Sequence, residues 1–251
     1  MILFGDYHTH TIYTHGKGTI EDSVKMAIKR GLKQIAITEH SFSHFGYGVN
    51  RKEYNLMRVE IETLRRKYEG QIDILIGLES NILSLDGKID LPQHERRLVD
   101  ILVVGFHKGF VCPNVKSFFN FWWPNVLRNS WKNKKQIEKN TRAYINALNN
   151  YEIDILSHLN SNGCKVNVVE VAKVAKKRGT YIELNGKRID FTDEEIKAMI
   201  DTGVKFIINS DAHCPENIGR CPGGLAIVEK YNIPHNQVVN LNSIPKFKTY
   251  N

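Results

Sequence analysis

Two short motifs near the N-terminus have the residue types of a metal site. Asp6-Tyr7-His8-Thr9-His10 and Thr38-Glu39-His40 each follow an apolar run, and His15 lies between them. In an extended strand, residues i and i+2 point to the same side, so His8 and His10 can direct both imidazoles at one point. Imidazole combined with nearby carboxylates suits zinc, manganese or iron. The spacing therefore indicates divalent transition-metal chemistry.

A single His-x-His pair is only a weak indication of a metal site, because most such histidines lie at the surface or are hydrogen-bonded in a core. In this chain the pattern recurs, and six of the ten histidines end an apolar run: His8, His10, His40, His107, His158 and His213. Such repetition favours a shared site over six unrelated histidines.

Seven short apolar runs alternate with segments of helical periodicity. The runs are apolar almost throughout, as expected for parallel strands that are covered on both faces. Thr192-Asp-Glu-Glu195 is a capping box and Thr19-Ile-Glu-Asp22 resembles one, so both are predicted helix starts. The predicted strands are 2–7, 34–38, 72–78, 100–106, 153–157, 180–184 and 204–209, and the other predicted helices are 51–68, 135–149 and 167–178.

Alternating strands and helices predict an α/β protein with a parallel sheet, either open or closed into a barrel. Both forms gather functional residues at the carboxyl ends of the strands, and each predicted strand here ends beside a polar candidate. A barrel brings all the ends to one mouth, whereas an open sheet spreads them along a line. This convergence favours a TIM-like (β/α)7 barrel, and 251 residues suit a single domain that spans 1–251.

The composition narrows the classes of partner and compartment. The net charge of +8 favours anionic partners such as a small phosphorylated substrate, whereas the even spread of basic residues does not favour nucleic acid. No apolar run approaches the roughly 20 residues of a membrane-spanning helix, and the N-terminus lacks the pattern of a signal peptide. Four cysteines without a Cys-x-x-Cys pair indicate no disulfide framework, so the cytoplasm is the expected compartment.

Residues 109–135 form an aromatic-rich connector directly after His107. The connector contains four phenylalanines and all three tryptophans of the chain, Trp122, Trp123 and Trp131. Its aromatic side chains would pack on the barrel, or the connector would form a lid or a surface for self-association. Contact with a membrane surface is a minor alternative.

The order of these motifs resembles the PHP family, named for polymerase and histidinol phosphatase, and most closely its small stand-alone phosphatases. The resemblance extends over nearly the whole chain and implies a distorted barrel of seven strands with up to three metal ions. The matching motifs are Asp6-x-His8-x-His10, His15, Thr38-Glu39-His40, Gly77-Leu78-Glu79, Gly105-Phe106-His107, Ser157-His158 and Ser210-Asp211-Ala212-His213.

The resemblance also implies how nine ligands would divide among two to three ions of zinc, manganese or iron. The ligands implied for a first ion are His8, His10, Glu79 and Asp211. Those implied for a second ion are Glu79, His107 and His158, and those for a third are His15, His40 and His213. The same resemblance implies that Glu79, Asp211 and His213 are the catalytic residues.

Asp6 and Glu39 match the family motifs without being implied as ligands. We expect Asp6 behind the ligands, where it would orient a histidine. Glu39 stands where Asp is common in the family, and this conservative change is expected to keep a supporting role. The connector is longer than expected for the smallest members of the family. This extra length would affect how a substrate reaches the site, but not the binding of metal ions.

Such a site would hydrolyse phosphoric esters. Two metal ions about 3.5–4 Å apart can share a hydroxide near neutral pH, which would attack phosphorus in line while the ions neutralise the phosphoryl oxygens. The basic candidates for holding the substrate phosphate are Lys108, Lys187, Arg188 and Arg220, of which Arg220 is the strongest. The remaining histidines, His44, His94 and His235, are expected at the surface or in loops.

We therefore expect a metal-dependent phosphatase that acts on a small phosphomonoester. Histidinol phosphate is the named alternative substrate, and a single-strand nuclease or phosphodiesterase is another enzymatic alternative. A metal-loaded regulatory or binding protein is the non-enzymatic alternative. The complete ligand set argues against that last class, since regulatory relatives of enzymes often lose ligands.

Overall fold

Seven parallel strands form the centre of the molecule. The computed structural model describes residues 2–127 and 132–249. Each strand pairs in parallel with the next, so the strand order in the sheet is the chain order. All seven predicted strands are confirmed, although the first and fifth are only 2 residues long. The strands are β1 (Gly5–Asp6), β2 (Gln34–His40), β3 (Asp73–Asn81), β4 (Ile101–Gly105), β5 (Ile155–Leu156), β6 (Tyr181–Asn185) and β7 (Phe206–Asn209).

The sheet curls until its first strand approaches its last. The amide of Tyr7 donates a hydrogen bond to Asn209 Oδ1 at 3.0 Å, and the amide of His10 donates to the carbonyl of Ala212 at 2.8 Å. These bonds join β1 to β7 in place of a regular ladder, so the sheet is a nearly closed barrel. The predicted TIM-like barrel is therefore confirmed, with its distortion at this seam.

Helices cover the outside of the sheet. Both predicted capping boxes are present, with Thr19 and Thr192 as the N-cap residues. No helix in the described ranges is long and apolar enough to cross a membrane. The helices are α1 (Ile20–Lys29), α2 (Arg51–Lys67), α3 (Val115–Ser117), α4 (Trp123–Val126), α5 (Lys134–Asn150), α6 (Val168–Arg178), α7 (Asp193–Thr202) and α8 (Pro222–Lys230), and a π-helical turn, Phe118–Trp122, joins α3 to α4.

Strand alternation separates two hydrophobic clusters. In β2, Ile37 lies in the large cluster beneath the helices, whereas Ala36 lies in a smaller cluster inside the barrel. Phe247 closes the inner cluster, with its ring centroid 4.9 Å from that of Tyr7. Because side chains alternate along a strand, every second residue of β2 from Ala36 to His40 points into the barrel. His40 therefore lies on the inward side at the carboxyl end of this strand.

The aromatic connector packs on the barrel with one face only. Phe110 and Phe121 are buried, and their ring centroids lie 5.8 and 5.5 Å from that of Phe106. In contrast, 61% of Phe119 and 42% of Trp123 remain exposed. Trp131 lies outside the described residues. The packing interpretation therefore holds for one face, and the other face leaves apolar side chains in solvent.

Candidate metal centre

The carboxyl ends of the strands bring all nine candidate ligands to one mouth of the barrel. His40 ends β2, and Glu79 lies near the end of β3. The other ligands lie in loops that follow a strand: His8, His10 and His15 after β1, His107 after β4, His158 after β5, and Asp211 and His213 after β7. This end is where parallel barrels carry their functional residues.

Glu79 lies at the centre of the array. The side chain is buried, and its carboxylate oxygens lie between 2.9 and 3.5 Å from nitrogens of five imidazole rings. The rings nearest Oε1 are those of His8, His107 and His158, and the rings nearest Oε2 are those of His10 and His40. A carboxylate with candidate ligand rings near both oxygens would be suited to bridging two ions.

Four overlapping groups of ligand atoms are compact enough to hold ions, since the atoms of each group lie within 4.8 Å of one another. The groups are His8, His10 and Asp211; His8, Glu79 and His158; His40, Glu79 and His107; and His10, His40 and His213. His15 lies beside the last group, with its ring centroid 4.3 Å from that of His213. The nine candidates therefore lie together, and their division among separate ions stays a prediction.

Several buried polar atoms of the array have no hydrogen-bond partner among the described residues. They are His8 Nε2, His10 Nδ1 and Nε2, His40 Nδ1 and Glu79 Oε2. A buried polar atom without a partner costs about 1–3 kcal/mol, and a divalent ion would satisfy the lone pairs of imidazole and carboxylate. The residues therefore fit a group of divalent metal ions.

The crowding of imidazoles around one buried carboxylate lowers the pKa of Glu79 and the pKa values of His10 and His15. Burial opposes the ionisation of Glu79, but His107 and His8 hold the pKa of Glu79 well below its usual range. Burial and the neighbouring histidines lower the pKa of His10 well below its usual range and lower the pKa of His15 to about 4. Both rings are therefore neutral at pH 7, which is the form of imidazole that binds a metal.

Glu183 supports the centre, although the sequence did not single it out. It lies within β6 and is 1% exposed. Its Oε1 lies 2.8 Å from His8 Nδ1, and its Oε2 accepts a hydrogen bond from the amide of His158 at 3.0 Å. The side chains of Asn209 and Asn185 also donate to it, at 3.0 and 3.2 Å. The signal that could have identified Glu183 is an acidic residue inside an apolar strand.

Two candidate ligands have backbones in the left-handed region. The φ angle is 28° at His158 and 50° at Asp211, conformations that cost about 1–3 kcal/mol for residues other than glycine. Polar groups hold both turns: Glu183 accepts from the amide of His158, and the Lys187 ammonium donates to the carbonyl of Asp211. Among the described residues, the other non-glycine positions with positive φ are all asparagines, so these two candidate ligands are the exceptions.

Glu39 lies behind His10. Its carboxylate accepts hydrogen bonds from the amide of Thr11 at 2.7 Å and from the hydroxyls of Thr11 and Thr14. It also lies 3.7 Å from His10 Nδ1. Burial raises the pKa of Glu39 to about 7, against these hydrogen bonds. Glu39 therefore ties the loop after β1 to the end of β2.

Asp6 contacts a different part of the centre from the one that the sequence suggested. Its carboxylate accepts hydrogen bonds from the amide of Ser210 at 3.0 Å and the amide of Gly219 at 2.8 Å. Because β1 adjoins β7 at the seam, Asp6 reaches the turn that precedes Asp211. The expectation that Asp6 orients a histidine ring is corrected, since its described hydrogen bonds fix this turn instead.

His44 lies beside the centre, although it was expected to be an unrelated loop or surface residue. Its ring stacks on that of His40 with centroids 4.6 Å apart, and it lies 5.6 Å from the ring of His107. The loop after β2 folds back over the mouth because the amide of Phe45 donates to the carbonyl of Gly109 at 2.6 Å. His44 is therefore a loop residue that contacts the ligand array.

A cavity of about 360 Å³ opens at the ligand array. Lys187 and Arg188 line this cavity, and the Lys187 ammonium lies 3.3 Å from His213 Nδ1. Arg220 and Lys108 are exposed and do not line it. The cavity lining therefore does not support the preference for Arg220, whose neighbour Gly219 donates a hydrogen bond to Asp6. Lys187 and Arg188 remain the candidates for a phosphate contact.

The comparison with protein families agrees with this geometry. A model of the PHP domain matches residues 6–191. The chain belongs to the PHP family. The matched segment contains seven of the nine candidate ligands, and Asp211 and His213 follow it in the chain.

Curated relatives within the PHP family are similar over nearly the whole chain. A probable phosphatase of Caldanaerobacter subterraneus subsp. tengcongensis is 30% identical over 254 residues, which cover 98% of this chain and 89% of the relative. A probable phosphatase of Thermoanaerobacter sp. strain X514 is 30% identical over 264 residues, which cover 100% of this chain and 95% of the relative.

Solved structures support the PHP barrel fold. The histidinol phosphate phosphatase of Lactococcus lactis subsp. lactis, complexed with zinc, L-histidinol and phosphate, has a TM-score of 0.64 at 15% identity and covers 100% of this chain and 98% of its own. A putative histidinol phosphatase of Listeria monocytogenes has a TM-score of 0.58 at 15% identity and covers 86% of this chain and 97% of its own.

Proposed function

We propose that this PHP-type, metal-dependent phosphatase hydrolyses a small phosphomonoester at a centre of two or three divalent ions. The observation that supports the proposal most directly is the buried carboxylate of Glu79, whose oxygens lie within 3.5 Å of five imidazoles. Glu79, Asp211 and His213 are the proposed catalytic ligands. Zinc, manganese and iron all suit this set of imidazole and carboxylate groups.

Residues of the chain would position the substrate beside the centre. When bound, the ions would supply a hydroxide near neutral pH and positive charge for the phosphoryl oxygens. The Lys187 ammonium, which lies beside His213, would pair with a phosphate oxygen. Hydrolysis forms a bond from the water oxygen to phosphorus, breaks the ester bond and delivers a proton to the leaving alcohol.

The exposed face of the connector supports a proposal of self-association. Val115, Phe119 and Trp123 are 73%, 61% and 42% exposed. Contacts between copies would remove this apolar surface from water. The catalytic proposal does not depend on this contact, because the nine candidate ligands come from one chain.

A substrate screen with metal-replete protein tests the proposed function. The panel contains p-nitrophenyl phosphate, histidinol phosphate, sugar phosphates, nucleotides and short single-stranded DNA, each with manganese or zinc. Histidinol phosphate is included because the L. lactis protein is a histidinol phosphate phosphatase. We expect metal-dependent release of phosphate from at least one monoester.

Two variants make the screen specific to the site. Asp211→Ala should abolish hydrolysis, whereas Asp193→Ala, at an exposed position of α7, should leave it unchanged. Folded, metal-loaded protein without turnover on any substrate would contradict the enzymatic proposal and favour a binding role. Cleavage of the DNA alone would favour the phosphodiesterase alternative.

A further inference from the structure

The residues that line the cavity beyond the candidate ligands all have polar or charged side chains. None of the described residues that line the cavity has an apolar side chain. Six of them are outside the ligand set: Ser161, Asn162, Asn185, Lys187, Arg188 and Asp190. A substrate bound at the centre would therefore place its leaving group beside side chains that carry hydrogen-bonding groups.

Three of these six side chains already support the centre. The Ser161 hydroxyl lies 3.0 Å from His158 Nδ1. Asn185 Oδ1 accepts hydrogen bonds from the amides of Lys187 and Arg188 at 2.9 and 3.3 Å, and the Lys187 ammonium donates to the carbonyl of Asp211. Of the six side chains, those of Asn162, Arg188 and Asp190 therefore remain available to contact a leaving group.

The other three side chains retain free hydrogen-bonding groups. Arg188 Nε donates to Asp190 Oδ2 at 2.7 Å, and Asn162 Nδ2 donates to the carbonyl of Phe106 at 3.0 Å. The terminal guanidinium nitrogens, Asp190 Oδ1 and Asn162 Oδ1 have no hydrogen-bond partner in residues 2–127 and 132–249. The side chains of Arg188 and Asp190 are 63% and 25% exposed, so a ligand can reach them.

We propose that Asn162, Arg188 and Asp190 form a subsite for a leaving group rich in hydroxyls, so that the substrates are sugar or polyol phosphates. This inference rests on the proposed phosphatase function. A hydroxyl both donates and accepts, which matches guanidinium donors beside carboxylate and amide oxygens. A leaving group without hydroxyls would remove water from these groups without replacing its hydrogen bonds. The cavity volume of about 360 Å³ suits a small ligand.

Three esters that differ in their leaving groups test the subsite in the manganese-loaded enzyme. They are a hexose 6-phosphate, cyclohexylmethyl phosphate, which has a similar ring without hydroxyls, and p-nitrophenyl phosphate, which has an activated leaving group. Sites that hydrogen-bond a substrate hydroxyl reject the analogue that lacks it. We expect kcat/KM for the hexose ester to exceed that for the cyclohexylmethyl ester by about a hundredfold or more.

Substitutions assign the preference to the subsite. Arg188→Met and Asp190→Asn should each reduce kcat/KM for the hexose ester by about tenfold more than for p-nitrophenyl phosphate. Lys230→Met, in an exposed pair with Asp193 on the outer helices, should change none of the three rates. This control removes a similar surface charge without touching the cavity.

Two results would overturn the subsite while leaving the phosphatase intact. One is equal kcat/KM for the hexose and cyclohexylmethyl esters. The other is an equal loss on all three esters in the Arg188 and Asp190 variants, which would assign these residues to the phosphate. Absence of hydrolysis of every ester, p-nitrophenyl phosphate included, would instead refute the proposed function and the subsite with it.

Discussion

Glu183 Oε1 lies 2.8 Å from His8 Nδ1, deep inside the barrel. Burial opposes the ionisation of Glu183, but His8 holds the pKa of this carboxyl below its usual range. An ionised carboxylate can only accept, so the His8 ring must donate from Nδ1 and present Nε2 to Glu79 and Asp211. The hydrogen bond to Glu183, which is outside the candidate ligand set, thus leaves Nε2 of His8 as the nitrogen that a metal ion would use.

Replacement of Glu183 by glutamine should weaken metal binding by about 10–100-fold. The amide has one oxygen where the carboxylate accepts with two, so either the His8 ring or the amide of His158 loses its acceptor. Competition with a chromophoric zinc chelator measures the affinity directly. Glu194→Gln, on the outer face of α7, is the matched control, and equal affinity in the two variants would contradict the role of Glu183.

Replacement of His10 by alanine should abolish hydrolysis and leave the fold largely intact. Both ring nitrogens of His10 are buried without a hydrogen-bond partner among the described residues, so the ring is free to bind an ion. Steady-state rates and circular dichroism measure the two effects. His94→Ala is the control, since the His94 side chain is 80% exposed. Wild-type activity in His10→Ala would refute the proposed ligand set.

Protein purified without a chelator should carry two or three transition-metal ions per chain. The nine clustered ligands are too many for a single ion of four to six ligands. Elemental analysis gives the number, and dialysis against a chelator should remove both the ions and the activity. Added zinc or manganese should then restore hydrolysis. One ion or none in active protein would contradict a multinuclear centre.

The C-terminal segment should make stability depend on pH through Lys248. Burial lowers the pKa of Lys248 from 10.5 to about 8, despite the nearby Asp154. Between these two values the unfolded chain keeps a proton that the folded chain has released, so the free energy of unfolding rises with pH. Below pH 8 both states are protonated, and the cost of burying the charge is present in full.

Urea unfolding of wild type and Lys248→Met isolates this contribution. Between pH 8 and pH 10.5, the free energy of unfolding of wild type should rise by up to about 3 kcal/mol relative to that of Lys248→Met. Lys246→Met, at an exposed position two residues earlier, should show no such shift. A constant difference between wild type and Lys248→Met across this range would rule out a buried charge.

Replacement of Phe119 and Trp123 by serine should reduce any self-association. Both side chains are well exposed, so their removal should cost little folding free energy. Sedimentation velocity of the wild type and the double variant measures the assembly state. Leu56→Ser, at another exposed apolar position, serves as control. Identical sedimentation of the two proteins would refute association through this face.

The strands, their parallel arrangement and the positions of the candidate ligands could all be predicted from the sequence alone. This was feasible because residues on the inward side recur every second position: Ala36 leads to His40, and Leu75 leads to Glu79. A ligand at the end of an apolar run is therefore visible in the pattern alone. The family motifs added a proposed grouping of ligands, which spacing could not provide.

The polar residues that surround these candidate ligands could not be predicted without the folded structure. Glu183 and Asn81 are far from their histidine partners in the chain. Glu183 meets His8 because the sheet closes, and Asn81 meets His107 because β3 pairs with β4. Arg220 looked favourable because it is near the last motif in sequence, but it does not line the cavity, and the amide of its neighbour Gly219 donates to Asp6. Contacts across a barrel depend on strand order and loop direction, which local sequence patterns do not encode.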